Sequence, residues 1–414
     1  MAELAILGGA PVRTAPFPAW PQYGEEERRA LEEALAARVW SSADGPRKRE
    51  LEGRFAAAQD AAHAVAVSNG TVALEIALRA CDVGAGDEVI VPAYTFLATA
   101  SAVLQVNALP VFVDIDPETY TIAPAAVEAA ITPRTKAIIG VHFAGQPCDL
   151  DGLRDIARRH GLRLIEDAAQ AHGAAWRDRH VGALGDVGTW SFQASKNLTA
   201  GEGGMVTTDD AALAARARSL HNCGRTPDGE WYEHALLGGN HRLTEWQSAI
   251  LLAQLGRLSA QVARREAAAE YLDAALARVP GLRPLGRDPR ATTHAYHLYL
   301  FRYDPAGFDG LDRDTFLRAL RAEGIPASGG YAIPLNRQPV FVERAFDTVA
   351  TGYDPAYPPT RFAALDLPAT ERACAEAIWL PQNLLLGADA DLADVVAAVA
   401  KVRRGAGALR GLAA

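Results

Sequence analysis

The chain has 414 residues, of which 49% are hydrophobic and 22% are charged. These values are typical of a globular protein with a sizeable core and exclude a disordered, collagen-like or coiled-coil chain. The formal net charge is −9, and no basic stretch is interleaved with aromatic residues, so a nucleic-acid partner is not expected.

The four cysteines form no CxxC pair and are widely spaced, at Cys81, Cys148, Cys223 and Cys374. A disulfide framework or a metal site is therefore disfavoured. The N-terminal stretch lacks the basic start and long apolar run of a signal peptide. No apolar run reaches the roughly 18 residues of a membrane helix. We expect a cytoplasmic protein with reduced thiols and no membrane partner.

The first 25 residues are rich in Pro and Gly and predict an extended arm, and two helices are predicted next, at about 25–37 and 47–59. Seven β-rich runs are then predicted, at 63–68, 88–94, 110–116, 136–143, 163–167, 187–193 and 205–208. Helical stretches separate the first five, at 71–80, 95–106, 125–130 and 150–160. This alternation indicates parallel strands buried on both faces. The last two runs are joined without a helix, so one of them is a candidate for an antiparallel strand.

Beyond residue 208 the pattern changes to the Ala/Leu-rich helical stretches 211–220 and 243–272. A second α+β unit is predicted from about residue 279, with a strand at 297–301 and helices at 313–323 and 389–402. We therefore expect an arm (1–25), a large cofactor-binding domain (26–255) and a small C-terminal domain (256–414). The long helix 243–272 would link the two domains.

Two segments of the first unit carry chemically informative residues. A buried strand ends in Glu166 and Asp167, and the carboxyl ends of parallel strands face the crevice where such sheets bind ligands. Lys196 follows a β-run and precedes a glycine-rich turn, where a partly desolvated amine can form a Schiff base. A carboxylate and a lysine so placed are what pyridoxal phosphate needs, one to protonate its ring nitrogen and one to carry the cofactor. A helix cap or an ion-paired carboxylate is the alternative for Asp167.

Six stretches resemble the DegT/StrS family of fold-type-I, pyridoxal phosphate-dependent aminotransferases, which make amino sugars and aminocyclitols. They are VSNGTVALEIAL (67–78), DEVIVPAYTFLATA (87–100), PVFVDID (110–116), LIEDAAQAHGA (164–174), SFQASKNLTAGEGG (191–204) and GGNHRLTEWQSAILLAQL (238–255). The tract 191–204 is the most specific of them. The resemblance implies an α/β fold-type-I architecture, with a mostly parallel seven-stranded sheet between helices and a smaller C-terminal α+β domain.

The resemblance also implies roles for the matching residues around the cofactor ring. Lys196 would be the Schiff-base lysine and Asp167 would pair with the pyridinium nitrogen. Gln170 would reach the phenolic oxygen, although an exposed polar residue on a helix is the alternative. Phe96 would stack on the pyridine ring, and ordinary core packing is the alternative there.

Further residues would bind the phosphate and the substrate. The N–H groups of a helix start suit a phosphate, although Thr71 would also serve as a helix cap. Asn240 would reach the phosphate of the neighbouring subunit in a homodimer with shared active sites. The phosphate ligands would then be Gly70, Thr71, Ser191 and Asn240, and the substrate candidates are His172, Arg242, Tyr331 and Asn336. Structural roles are the alternatives for His172 and Arg242.

We expect transamination from L-glutamine or L-glutamate through pyridoxamine phosphate to a ketone acceptor. Gln193 and the stretches 297–308 and 322–335 resemble the cyclitol and aminobenzoate branch, which favours a keto-cyclitol such as scyllo-inosose in antibiotic biosynthesis. A nucleotide-sugar aminotransferase and an aromatising enzyme similar to 3-amino-5-hydroxybenzoate synthase remain alternatives. A dehydratase is disfavoured because such relatives carry His in place of Lys196. A silent regulatory protein would be expected to have lost Lys196 or Asp167.

Overall fold

The structure is a computed structural model that describes residues 3–41, 43, 45–226, 229–230, 232–343 and 360–410. Within these ranges the strands are β1 (His63–Val67), β2 (Glu88–Pro92), β3 (Leu109–Val113), β4 (Thr135–Val141), β5 (Arg163–Asp167), β6 (Ala175–Trp176), β7 (Arg179–His180), β8 (Val187–Ser191), β9 (Gly204–Thr208), β10 (Leu282–Pro284), β11 (Leu298–Tyr303) and β12 (Ala377–Pro381). The α-helices are α1 (Glu25–Ala36), α2 (Pro46–Ala58), α3 (Gly70–Ala80), α4 (Ala98–Gln105), α5 (Pro124–Ala129), α6 (Leu150–His160), α7 (Ala211–His221), α8 (Glu245–Leu255), α9 (Leu258–Leu276), α10 (Arg313–Ala322), α11 (Pro339–Val342), α12 (Thr360–Ala363), α13 (Pro368–Glu376) and α14 (Asp389–Leu409).

The central sheet has seven strands in the order β1-β9-β8-β5-β4-β2-β3. β8, β5, β4, β2 and β3 pair in parallel with their neighbours in this series. β9 is antiparallel to both β1 and β8. The mostly parallel seven-stranded sheet is therefore confirmed, and the antiparallel strand is the second of the two runs that lack an intervening helix.

Both faces of this sheet are buried, as the runs of apolar residues predict. On β2, Val89 and Val91 belong to one hydrophobic cluster and Ile90 to another. Because successive side chains of a strand point to opposite faces, the two clusters lie on the two sides of the sheet. A strand buried on both sides brings only its end residues to a surface, so the strand ends decide where a polar site can form.

The C-terminal unit is built on an antiparallel sheet of β10, β11 and β12. Its core contains residues of α9, α10 and α14, among them Leu272, Phe316 and Val399. The prediction of one long helix over 243–272 is wrong, because α8 ends at Leu255 and α9 begins at Leu258. The break falls at Gly256, and glycine is a poor helix former.

The N-terminal arm packs against the C-terminal unit. Leu4 is buried in the core of that unit, and the backbone N–H of Arg13 donates to the Glu323 carbonyl at 3.1 Å. Further along, the indole N–H of Trp20 donates to the Ala194 carbonyl at 2.9 Å. The arm therefore runs from the C-terminal unit to the turn that carries Lys196. We retain the division into arm, large domain and small domain as a proposal.

None of the helices in the described ranges combines the length and the apolar character needed to cross a lipid bilayer. Nor do the same ranges gather three or more His, Cys, Asp or Glu side chains in a group that could hold a metal ion.

Candidate active site

A cavity of about 890 Å³ opens where β5 and β8 end. This is the edge at which parallel sheets bind ligands. The N-terminal arm and the end of β12 complete its walls. The lining includes Trp20, Asn69, Gly70, Thr71, Glu75, Thr95, Phe96, Thr99, Asp167, Gln170, Ser191, Gln193, Lys196, Glu202, His297, Tyr331, Trp379, Gln382 and Asn383.

Asp167 is the last residue of β5 and is 6% exposed. One carboxylate oxygen accepts a hydrogen bond from the Thr99 hydroxyl at 2.8 Å, and the other accepts one from the Ala169 N–H at 3.2 Å. Burial raises the pKa of this carboxyl group, and these two hydrogen bonds oppose the rise only in part. Asp167 forms no ion pair with any described residue, so a cation in the cavity would stabilise its charge.

Glu166 precedes Asp167 on β5 and lies on the opposite face of the sheet. Its carboxylate accepts hydrogen bonds from the N–H groups of Gly182, Leu184 and Gly185 at 2.6–2.8 Å, and its Oε2 lies 3.0 Å from His142 Nε2. Burial alone would raise the pKa of Glu166, but these partners hold it below its usual value. Glu166 is a structural carboxylate.

Lys196 is half-buried in the turn that follows β8. Desolvation lowers the pKa of its amine to about 8, while the charge of Asp167 acts in the opposite direction. The chain has four lysines. Two of the others form ion pairs, Lys48 with Glu52 and Lys401 with Glu323, whereas the Lys196 amine forms none with a described residue. A neutral, accessible amine is the form that reacts with a carbonyl group.

The start of α3 forms a cradle beside Ser191. Asn69 is the N-cap, because its side chain accepts a hydrogen bond from the Val72 N–H at 2.9 Å. Thr71 is therefore not the cap. A Cβ on Gly70 would lie 2.7 Å from the Cβ of Ser191, so only glycine fits there. The N–H groups at a helix start lack partners within the helix and can bind an anion.

Gln170 and Phe96 offer two further contacts to a planar ligand. The Gln170 side-chain oxygen accepts a hydrogen bond from the Ala144 N–H at 2.7 Å. The amide NH₂ group is therefore the donor end on the cavity side, where the Tyr331 side chain also interacts with Gln170. Phe96 is 59% exposed although it is apolar, and its ring forms part of the cavity wall.

These residues fit pyridoxal phosphate. Asp167 is a buried carboxylate without a cation, Lys196 is an amine of lowered pKa, and the α3 start with Ser191 can bind a dianion. Gln170 offers a donor and Phe96 a flat apolar face. Each polar end of the cofactor thus has a chemical counterpart within one cavity.

The four predicted substrate residues have different placements. Tyr331 lines the cavity and packs against Trp379, with ring centroids 4.8 Å apart. His172 is fully buried beside Trp190 and is not part of the lining. Burial, with a smaller effect from the charge of Lys196, lowers the pKa of His172 to about 3. A substrate role for His172 stays a prediction.

Arg242 and Asn336 also lie outside the lining. The Arg242 guanidinium donates to the Asn222 side chain at 2.7 Å. Asn336 is 1% exposed, and its amide donates to the Phe362 carbonyl at 3.0 Å. Its position in a short 3-10 helix, rather than an open loop, explains why it turns inwards. Asn240 is exposed and does not line the cavity of its own chain.

Sequence reasoning missed several lining residues. Thr99 is the hydroxyl donor to Asp167, and its signal was its place in the AYTFLAT stretch just after β2. Trp20, Gln382 and Asn383 come from the arm and from the residues after β12. No local pattern marks these three, because only the tertiary fold brings them to the strand ends.

Comparisons with known proteins agree with this geometry. A family model described as the DegT/DnrJ/EryC1/StrS aminotransferase family matches residues 21–400. Two curated relatives from Streptoalloteichus tenebrarius are each 44% identical over 99% of both chains, one named "Putative L-glutamine:3-amino-2,3-dideoxy-scyllo-inosose aminotransferase" and the other L-glutamine:2-deoxy-scyllo-inosose aminotransferase. The crystal structure of 3-amino-5-hydroxybenzoic acid synthase is 38% identical, with a TM-score of 0.85, and the match covers 94% of this chain and 99% of that one.

Proposed function

The chain belongs to the DegT/DnrJ/EryC1/StrS aminotransferase family, and from this premise we propose that it transfers the amino group of L-glutamine to a keto-cyclitol of the scyllo-inosose type. The observation that carries the proposal is the presence of Lys196 and Asp167 in one cavity, each without an ion-pair partner among the described residues. The names of the two curated relatives support the choice of donor and acceptor.

Pyridoxal phosphate is the proposed cofactor, and when bound it supplies a ring that accepts electrons from a carbanion. Asp167 would hold a proton on the ring nitrogen, because its buried carboxylate gains a cationic partner there. The Thr99 hydroxyl fixes one oxygen of that carboxylate. The α3 start and Ser191 would hold the phosphate, and Gln170 would donate to the phenolic oxygen.

Lys196 would carry the proton in both halves of the reaction. With the cofactor and the amino donor bound, its free amine would take the proton from the substrate carbon, and a pKa of about 8 would leave part of the amine neutral near neutral pH. It would then return that proton to a second carbon atom of the reacting group. Because donor and acceptor take turns at one site, we expect ping-pong kinetics.

The acceptor would lie against the wall formed by the arm and the C-terminal unit. Trp20 and Trp379 offer apolar ring faces to the carbon skeleton, and the Tyr331 hydroxyl is available for a hydroxyl group of the cyclitol. A site that hydrogen-bonds hydroxyl groups rejects analogues that lack them, since its own polar groups are then left unpaired.

The test is direct conversion. The protein would be incubated with pyridoxal phosphate, L-glutamine carrying a heavy isotope at the α-amino nitrogen, and 2-deoxy-scyllo-inosose or its 3-amino-2,3-dideoxy analogue. We expect an aminocyclitol that contains the heavy nitrogen, detected by mass spectrometry, and none with Lys196→Ala. Conversion of a nucleotide-linked keto-sugar in place of both cyclitols would contradict the substrate assignment.

A second candidate is an aromatising activity like that of 3-amino-5-hydroxybenzoic acid synthase. The observation in its favour is the full-length structural similarity at 38% identity. Including a cyclic aminoshikimate-type ketone in the same assay distinguishes the candidates. Aromatic product there, with both cyclitol ketones unchanged, would favour this second candidate.

We also propose a homodimer with shared active sites. Asn240 is exposed and is not a lining residue of the cavity in its own chain, and we propose that a two-fold axis brings it to the partner's phosphate cradle. Mixing inactive Lys196→Ala with inactive Asn240→Ala should restore activity, because one site of the hybrid then carries neither change. A fully active monomer in sedimentation would contradict the proposal.

A further inference from the structure

Arg265 on α9 is a fully buried guanidinium without a carboxylate partner. It is 0% exposed and forms no ion pair with any described residue. Its Nε and Nη2 donate to the Gln382 side-chain oxygen at 3.1 and 2.5 Å, and its Nη1 has no hydrogen-bond partner among the described residues. Burial lowers the pKa of Arg265 to about 9, so the group stays charged at neutral pH. An unpaired buried charge of this kind destabilises a fold.

Gln382 connects this charge to the active-site cavity. Gln382 is 3% exposed and belongs to the cavity lining. Because its oxygen is held by the guanidinium, its NH₂ group is the end left to face the cavity, and that group forms no hydrogen bond with a described residue. Trp20, another lining residue, lies with its ring centroid 5.5 Å from the Arg265 guanidinium carbon. The charge therefore lies directly behind the wall.

The cavity needs a second positive centre in this region. Among its described lining residues Lys196 is the only lysine or arginine, and the proposed cofactor would occupy it. The neighbouring His297 is neutral, because burial holds its pKa well below the usual value. The amino donor brings a carboxylate into the cavity, whereas the proposed cyclitol acceptor is uncharged or carries only an amino group.

We propose that Arg265 and Gln382 together form the site that recognises the α-carboxylate of the amino donor. Gln382 donates its N–H to the carboxylate, and Arg265 is a positioning residue that orients the amide and supplies the positive potential. This inference rests on the proposed aminotransferase function. An acceptor without a negative charge gains little from the positive charge of Arg265. Arg265 and Gln382 would therefore discriminate between the two substrates that share one cavity.

The experiment separates the two half-reactions of the holoenzyme. Stopped-flow absorbance measures the dissociation constant and the limiting rate for L-glutamine, and then for the keto-cyclitol with the aminated enzyme. For Arg265→Met we expect the glutamine dissociation constant to rise roughly 10- to 100-fold. The limiting rate and the acceptor constant should stay within about threefold. Arg265→Lys should recover part of the lost affinity because it keeps the charge.

Two variants of Gln382 sharpen the test and remain informative if Arg265→Met fails to fold. Gln382→Leu removes the donor and should weaken glutamine binding about 10-fold. Gln382→Glu should weaken it more, because the new carboxylate would pair with Arg265 and repel the donor. The matched control is Arg264→Met on the same helix, since Arg264 pairs with Asp389 and does not contact Gln382. We expect the control to bind glutamine normally.

A binding measurement without turnover completes the design. Glutaramate keeps the α-carboxylate of glutamine but lacks the amino group, and glutaramide replaces that carboxylate with an amide. Calorimetry should show that wild type prefers glutaramate and that Arg265→Met and Gln382→Leu lose the preference. Thermal melting should show that Arg265→Met is as stable as wild type or more so.

The outcomes distinguish this inference from the proposed function. Wild type that converts glutamine, with unchanged glutamine binding in Arg265→Met and Gln382→Glu, would overturn the carboxylate site and leave the aminotransferase function intact. Wild type that does not react with glutamine at all would instead refute the proposed donor. A lower melting temperature in Arg265→Met with normal glutamine affinity would assign Arg265 a purely structural role.

Discussion

At the end of β5 the chain places two adjacent carboxylates in two different regions of the molecule. Glu166 is fully buried and accepts three backbone hydrogen bonds besides its contact with His142. Asp167 faces the cavity and accepts two hydrogen bonds. Burial acts on both, yet the pKa of Glu166 is lowered and that of Asp167 is raised.

The difference shows how to separate structure from function among buried charges. A carboxylate whose partners are all supplied by the fold stabilises the fold. A carboxylate left short of partners beside a cavity indicates a ligand that completes the set. The same contrast applies to lysine, because Lys401 is paired with Glu323 whereas Lys196 has no ion-pair partner among the described residues.

Lys196→Ala should have the largest effect on activity. The variant loses both the attachment point and the proton carrier, so turnover should fall by roughly 10⁴-fold. Its stability without cofactor should not fall, because a desolvated amine without an ion pair is removed. Steady-state kinetics and thermal melting check the two expectations. Activity above a tenth of the wild-type value would contradict the role.

Asp167→Asn should reduce turnover by about 10²- to 10³-fold, because the amide cannot pair with a cationic ring nitrogen. The fold should remain intact, since the Asn oxygen can still accept from the Ala169 N–H while its NH₂ group donates to the Thr99 hydroxyl. Circular dichroism and turnover in the same preparation provide the check. Near-normal turnover would remove Asp167 from the cofactor site.

The pH dependence of cofactor attachment should follow the lowered pKa of Lys196. Only the neutral amine reacts, so below a pKa of about 8 the attachment rate to cofactor-free protein should rise tenfold per pH unit and then level off. Stopped-flow absorbance between pH 6 and 10 measures this attachment rate. Asp167→Asn should move the midpoint to lower pH, because Asp167 raises the pKa of Lys196. A rate that still rises tenfold per unit above pH 9 would indicate an ordinary lysine.

Thr99→Val should lower turnover about 10-fold by removing the hydroxyl that orients the Asp167 carboxylate. Thr95→Val is the matched comparison, because the Thr95 hydroxyl contacts Thr99 at 3.2 Å rather than Asp167. Its turnover should fall less. Equal losses in the two variants would argue that the hydroxyls act on packing alone.

Glu166→Gln should have the smallest effect on turnover and the largest effect on stability. The Gln NH₂ group takes the place of one carboxylate oxygen and cannot accept from the N–H groups bound there, which are Gly182 at Oε2 or Leu184 and Gly185 at Oε1. Unfolding should therefore become easier by about 3–5 kcal/mol. Turnover per folded molecule should stay within about threefold of wild type. Denaturant titration measures the stability. Turnover divided by the concentration of active sites measures the activity per folded molecule. A stable but inactive variant would reverse the assignments of Glu166 and Asp167.

The sequence identified the part of the site that lies on consecutive strand ends. Asp167 and Lys196 could be found because strand pattern, charge and the glycine-rich turn coincide locally. Trp20 could not, since its contact with Ala194 spans 174 positions of sequence. The same holds for Arg265 and Gln382, which are 117 positions apart.

Two errors show where local patterns fail. The Ala/Leu-rich stretch 243–272 predicts one helix, but Gly256 and the packing of two separate units break it into α8 and α9. The polar side chain of Asn336 indicated a ligand contact, yet it satisfies the buried Phe362 carbonyl. In both cases tertiary packing decides the structure. A short stretch of sequence does not contain the information about that packing.

The most direct test of the central claim is reduction of the cofactor-bound protein with borohydride followed by peptide mapping. The chain offers only Lys48, Lys136, Lys196 and Lys401 as alternatives, so the map has few possible results. We predict the pyridoxyl group on the peptide that contains Lys196, and its loss in Lys196→Ala. A label on another lysine, or none, would contradict the account of this cavity as the active site.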